Sequence, residues 1–365
     1  MKGPRRPRAP PPAPLLALLL LLLLAPRACH AQQSFSHSIS VGRIAAGGAQ
    51  TLLDRSGAGC ISFFWYTAGT GEDPPSYPAE GSTRLRYFVD GEAEPSIDMA
   101  LDMGHGVGFD DRRAPWSAGE YFGKSGTTLA FWNTLRVPFG SGVRVELVLP
   151  AAVNVSGREM FYVILRGVDT TGAGAGSVSG PWPSLGGERL PATARLRLLR
   201  AENVSLAPLE LLPLVLLPPG PAGALYLAVM QVLSGNSNFL EGCVRAVLGG
   251  SGSGEEMLMS SGTEDYFGSS FYFSGVPDGF TTPSAGLTHL AFNASEGGLH
   301  FSAYKVHDRD SFMWPAQTAV NITWRNGDVY DAAPGGSGLK CVANGTKLWD
   351  PQVSQVTAYA FVYTW

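Results

Sequence analysis

The sequence predicts an all-β protein built as two sandwich domains, and three observations carry that expectation. Short runs rich in β-branched and aromatic residues recur along the chain, at 59–66, 85–89, 143–149, 161–165, 194–199, 225–232, 299–306, 319–324 and 356–363. Each has the length of a strand rather than a helix. Turn formers punctuate them, among them Asp90-Gly91, Asn326-Gly327 and Pro334-Gly335-Gly336, which suit tight connections between antiparallel strands. Glycine (46 residues) and proline (27) are abundant but follow no collagen-like period, and long helical periodicity is scarce. Many short strands with Gly/Pro-rich turns favour sandwiches over alternating β-α units.

The ends and joints of the domains follow from composition. Lys2, Arg5, Arg6 and Arg8 precede an unbroken apolar run over 15–25, and Cys29 and Ala31 stand three and one positions before Gln32. A basic start, a run too short to span a bilayer and small residues at a break describe a cleaved signal peptide over 1–31. A seam rich in Gly, Ser and Pro at 172–187 then divides the remainder into an amino-terminal domain, 32–180, and a carboxy-terminal domain, 181–365. The Gly/Ser run at 249–254 reads as a hairpin loop, because it lacks the lysine and the strand-to-helix setting of a phosphate-cradling loop. The apolar stretch 206–232 is broken by five prolines and carries Glu210, so it reads as buried strands joined by turns and not as a membrane span.

Five N-x-S/T sequons, at Asn154, Asn203, Asn293, Asn321 and Asn344, agree with a secretory route. Delivery outside the cell or to the lysosome is expected. A net charge of −4 and a pI near 5.9 give no footprint for nucleic acid or anionic lipid. Loss of Cys29 with the signal leaves Cys60, Cys243 and Cys341, enough for at most one internal bridge in any pairing. No C-x-x-C or H-E-x-x-H spacing points to a metal, and no cofactor is expected.

The chemistry is expected at Phe239-Leu240-Glu241-Gly242 and Ser261-Gly262-Thr263-Glu264-Asp265-Tyr266-Phe267, where acidic residues sit beside glycine in apolar, aromatic surroundings. A carboxylate in such a place costs several kcal/mol unless it is compensated. Glycosidic cleavage needs two converging carboxyls, one to protonate the leaving oxygen and one to attack or to activate water. From residue types alone, Glu264 and Asp265 read more readily as turn or cap formers than as catalysts, and the aromatic run 266–273 more readily as core than as a sugar platform.

These two segments resemble the central motifs of glycoside hydrolase family 172, which acts on fructofuranosides and arabinofuranosides. Other pieces are similar in the same order: Asp54–Trp65, Arg86-Tyr87-Phe88-Val89-Asp90-Gly91-Glu92 with Pro95-Ser96-Ile97, Phe161-Tyr162-Val163-Ile164, and Ala303 to Asp310. The resemblance runs from about Ser40 onward. It implies two tandem jelly-roll domains, a carbohydrate substrate, a homotrimer or homohexamer with its site near a subunit boundary, and a retaining mechanism. By position Glu241 would be the nucleophile and Glu264 the acid/base. Trp65, Asp265, Tyr266, His289 and His307 are candidates to contact the sugar, each with a structural reading beside it. The sequence departs from the family pattern at Cys243, Ser260-Ser261, Ser311 and the longer Gly/Ser loop, all close to the motifs. A non-catalytic glycan-binding or structural secreted oligomer on the same fold is the alternative expectation.

Overall fold

The structure, a computed structural model, describes residues 32–69, 83–109, 116–125, 130–151, 159–170, 182–249, 254–276, 279–293, 298–330, 341 and 345–365. The expected signal peptide, most of the domain seam, Asn154, Asn344, the tip of the Gly/Ser loop and the Pro334-Gly335-Gly336 turn lie outside the described residues.

Two jelly-roll sandwiches follow one another. In the first, the larger sheet orders Gln32–Ile44, Glu159–Thr170, Gly59–Gly69, Ala130–Asn133, Phe122–Ser125 and Trp116–Ser117, with Val137–Phe139 also paired to Gly59–Gly69. Its smaller sheet orders Ala49–Ser56, Gly142–Val148, Arg84–Val89 and Ile97–Ala100. The second sandwich repeats this plan strand for strand. Arg195–Leu206, Ser354–Thr364, Gly223–Ser234, Gly298–Val306, Ala285–Asn293 and Phe280–Thr281 form the larger sheet, with Phe312–Trp314 on Gly223–Ser234. Leu211–Leu217, Val320–Arg325, Val244–Leu248 and Glu255–Ser260 form the smaller. Every pairing within these four sheets is antiparallel.

All nine apolar runs lie in or across strands. Asp90 and Gly91 both take the left-handed conformation (φ 56° and 80°) that the turn after Arg84–Val89 requires. Leu248 pairs with Glu255 across the Gly/Ser connection, so that run joins a hairpin. Strands that the sequence did not announce include Gln32–Ile44, largely polar and exposed at the sheet edge, and Ala285–Asn293.

The two domains share a core. Along Ser354–Thr364, Tyr359, Phe361 and Tyr363 join the amino-terminal cluster, while Ala358, Ala360 and Val362 join the carboxy-terminal one. Gly223–Ser234 and Gly298–Val306 are divided in the same way, with Tyr226 and Tyr304 on the first side and Met230 and Phe301 on the second. A sheet buried on both faces loses the apolar–polar alternation of a half-exposed one, which is why these strands read as continuous apolar runs. Ion pairs line the joint: Asp90–Arg195 (2.6 Å), Arg84–Glu202 (3.1 Å) and Asp98–Arg200 (3.1 Å). Tyr121 also donates to Asp308 at 2.5 Å.

His105 ends a short 3₁₀ turn, Met103–His105, in the shared core. It is fully buried, with Nδ1 2.5 Å from the carbonyl of Leu101 and Nε2 2.9 Å from the amide nitrogen of Asn133. The neutral ring satisfies both contacts by donating from Nδ1 and accepting at Nε2. Burial lowers its pKa to about 4, whereas an unfolded histidine titrates near 6.5. Below pH 6.5 the unfolded chain therefore binds a proton that the native chain refuses. Stability is complete above that pH and declines as pH falls toward 4, by at most about 1.4 kcal/mol per pH unit from this group. Urea unfolding between pH 4 and 6.5 measures the slope, and His105→Gln is expected to flatten it.

Candidate active site

The two acidic motifs meet at one end of the carboxy-terminal sandwich. Ser237–Glu241 is a 3₁₀ turn capped by Asn236, whose side chain accepts from the amide of Asn238 at 3.0 Å. Glu241, its last residue, is buried. Thr263–Tyr266 is a single α-helical turn that packs against it, with Glu264 half-buried and facing the same region.

Two glycines and a threonine allow this approach. A Cβ on Gly242 would stand 1.8 Å from the carbonyl oxygen of Arg325, so the residue after Glu241 must lack a side chain for the turn to lie against Val320–Arg325. A Cβ on Gly262 would stand 2.8 Å from Glu264 Oε2 and 3.2 Å from the carbonyl of Leu240. Between the motifs, the buried hydroxyl of Thr263 lies 3.0 Å from the carbonyl of Gly242 and 3.3 Å from that of Phe239, and it accepts from the indole N–H of Trp324 at 2.8 Å. One side chain thus ties both carboxylate-bearing segments to the smaller sheet. The sequence offered Thr263 only as a motif letter.

Tyr272, which the sequence reading left in the core, adjoins the two carboxylates. Its hydroxyl donates to Glu241 Oε1. Burial first, then the charges of Glu241 and Glu264, push its own ionisation well above the ordinary range, so it stays a proton donor. One phenol thus senses both carboxylates. The backbone that presents it is strained: Phe271, Tyr272 and Phe273 have φ of 44°, 57° and 58° in succession. Left-handed conformations cost bulky residues roughly 1–2 kcal/mol each. Packing of buried Phe273 on Phe301, 5.5 Å between ring centres, helps to anchor this turn.

The remaining candidates are distributed differently from the sequence expectation. Asp265 caps the helical turn, accepting from the amides of Gly262 (2.6 Å) and Ser261 (2.7 Å) and from the Ser261 hydroxyl (3.1 Å). Tyr266 is buried and its hydroxyl lies 2.9 Å from His307 Nε2. His307 Nδ1 lies 3.2 Å from Asp310, which also pairs with Lys305 at 2.8 Å. Burial alone would raise the Asp310 pKa, but hydrogen bonds from His307 and Lys305 hold it well below the usual carboxylate range. Asp265, Tyr266, His307 and Asp310 line a cleft of about 260 Å³ that neither glutamate lines.

Two candidates lie in other parts of the fold. His289 belongs to an aromatic group with Phe109 (5.4 Å) and His300 (6.0 Å), where an amino-terminal-domain loop meets the second sandwich. Trp65 lies in the larger sheet of the first sandwich, half-buried on the face opposite the core residues Phe64 and Tyr66. Asn203 is exposed, and Asn321 is half-buried between the inward residues Val320 and Ile322, hence on the outer face of its sheet. Asn293 ends its strand.

No family model matches the chain, and no curated protein matches it. Among solved structures it is similar to a chain from the Sulfolobus turreted icosahedral virus, at 10% identity over 91% of both chains and a TM-score of 0.45. It is also similar to the major capsid protein P2 of bacteriophage PM2, at 10% identity over 80% of this chain and 97% of that one, with a TM-score of 0.33. The assignment of two jelly rolls rests on the strand order within this chain. Among the described residues no helix is long and apolar enough to cross a membrane.

The glycines make opposite predictions. Gly242→Ala drives a methyl group into backbone and is expected to cost about 3 kcal/mol of stability in urea unfolding. Gly262→Ala meets the movable end of a side chain, so the fold should survive while the Glu264 carboxylate is displaced. Thr263→Val leaves the buried Trp324 N–H without its acceptor, for an expected loss of about 1–3 kcal/mol.

Proposed function

We propose that this protein is a glycoside hydrolase in which Glu241 and Glu264 are the catalytic carboxyls. The observation that supports the reading is their convergence: two segments more than twenty residues apart are tied together by Thr263, and both carboxylates act on the Tyr272 phenol. Two acidic groups in partly desolvated surroundings are what acid-assisted displacement at an anomeric carbon requires.

Following the roles implied by the family resemblance, Glu264 protonates the glycosidic oxygen as it leaves. A carboxylate oxygen of Glu241 attacks the anomeric carbon and forms a glycosyl ester. Glu264 then takes a proton from water, which opens the ester and regenerates Glu241. Tyr272 donates to one oxygen of Glu241 and so fixes the plane of the carboxylate for attack. The fructofuranoside and arabinofuranoside substrate class, and a homotrimer or homohexamer, belong to the proposal through the resemblance alone. Secretion or lysosomal delivery belongs to it through the amino-terminal sequence.

A second reading is a glycan-binding or structural oligomer without turnover. Phe271 (81% exposed) and Leu258 (57% exposed) favour it, since they place bare apolar surface beside the two motifs.

Hydrolysis of a panel of aryl furanosides and pyranosides separates these readings. Glu241→Gln and Glu264→Gln are each expected to abolish turnover while melting like the parent protein, and Tyr272→Phe to lower kcat by roughly 100-fold. Unchanged turnover in either glutamine variant removes that residue from the mechanism. Sugar affinity without hydrolysis selects the second reading.

A further inference from the structure

Cys243, Cys341 and Asp328 meet beside the two acidic motifs, with Sγ, Sγ and a carboxylate oxygen all within 4.8 Å of one another and all three residues buried. The placement of the two sulfurs matters. Cys243 stands two residues after Glu241 and opens Val244–Leu248. Cys341 Sγ lies 3.8 Å and 3.7 Å from the carbonyls of Ser260 and Ser261, which lead directly into Gly262-Thr263-Glu264. A bond between the sulfurs would therefore join the Glu241 segment to the residue that abuts the Glu264 segment. Cys60 is buried in the amino-terminal domain, in a cluster with Val168 and Trp182.

Two chemistries suit such a cluster, a metal ion or a disulfide, and the surroundings distinguish them. The Asp328 oxygens already accept from Arg325 Nη1 at 3.1 Å and from the Cys341 amide at 2.7 Å. Arg245 lies beside Cys243. Arg245 pairs with Glu256 and Arg325 with Asp328, so the carboxylate is already compensated, and among the described residues the cluster's three groups fall one short of the four ligands of a structural zinc site. Cys243 Sγ itself donates to Asp328 Oδ1 at 3.9 Å, which holds it on the side of the cluster that faces Cys341.

We propose that Cys243 and Cys341 form a disulfide that fastens the two carboxylate-bearing segments together. The oxidant is a low-molecular-weight disulfide, RSSR, of the kind that maintains oxidising compartments. The thiolate of either cysteine attacks one sulfur of RSSR, giving a mixed disulfide and RS⁻. The other cysteine loses its proton, and its sulfur attacks the first Sγ and expels the second RS⁻. Two protein thiols are oxidised, and RSSR is reduced to two RSH. Both sulfurs are buried in the finished fold, so the exchange belongs to folding, before their burial is complete.

The bridge is independent of the glycosidase reading, and its test is read by mass and melting rather than by turnover. Full-length protein from a secreting host is denatured in alkylating reagent without reductant and mapped by mass spectrometry. The expected result is alkylation of Cys60 alone, with a linked Cys243–Cys341 peptide pair that separates on reduction. Cys243→Ser and Cys341→Ser should each expose the partner to alkylation. The two single variants and the double variant should share one lowered Tm, roughly 5 °C below the parent. Alkylation of all three cysteines, a bridge involving Cys60, or zinc in stoichiometric amount by elemental analysis would overturn the proposal.

Discussion

Burial of the larger carboxy-terminal sheet on both faces is the constraint from which the rest of the molecule follows. Alternate residues of Ser354–Thr364 serve two different cores, so both hydrophobic clusters run up to this one sheet. At roughly 25 cal/mol per Å² of apolar surface, each tyrosine or phenylalanine at the joint contributes on the scale of a few kcal/mol. The ion pairs around the rim are partly exposed and add less; their part is to fix the angle at which the domains meet.

That rigidity is what lets the candidate site tolerate local expense. Glu241 is buried, and three consecutive aromatic residues hold left-handed backbone beside it. Both features cost stability on their own. They persist because the turn is held from several directions at once, by the Gly242 approach to Arg325, the Thr263 hydroxyl, the Trp324 indole and the packing of Phe273. In the proposed glycosidase, pre-organisation of this kind would place the cost in the folded scaffold instead of in the reaction.

The sequence was legible where a residue type has one physical outlet. Apolar runs of strand length became strands, and Asp90-Gly91 became the left-handed turn it predicts. Strands such as Gln32–Ile44, polar and exposed at the edge of a sheet, carry no burial signal. The strand-for-strand repetition of the two sandwiches was invisible as well, because jelly-roll order is set by which faces become buried and leaves no periodic motif in the chain. At the site, the convergence of Glu241 with Glu264 was expected from motif resemblance. Asp265 caps the helical turn, the role that its residue type and position suggest without any motif. Trp65 and His289 sit in other parts of the fold because an aromatic or imidazole group satisfies a sheet face as readily as a binding site. Tyr272 was hidden for the converse reason: in a run of five aromatics, nothing local marks the one whose hydroxyl finds a carboxylate.

The arrangement of the doubly covered sheet also orders events in time. Both sandwiches join their first and third long strands only through their last, but the first has all its strands once residue 170 is made, whereas the second draws Arg195–Leu206 and Gly223–Ser234 together only when Ser354–Thr364 arrives. Pairings so distant along the chain are slow to form, since the loop-closure entropy is lost before the contacts repay it. Until they form, the amino-terminal half presents to water the apolar side that Tyr226, Tyr304 and Phe361 will later cover. The same covering that makes the finished molecule a single unit leaves its half-folded form adhesive, and a cell making this chain has to guard that face during the interval.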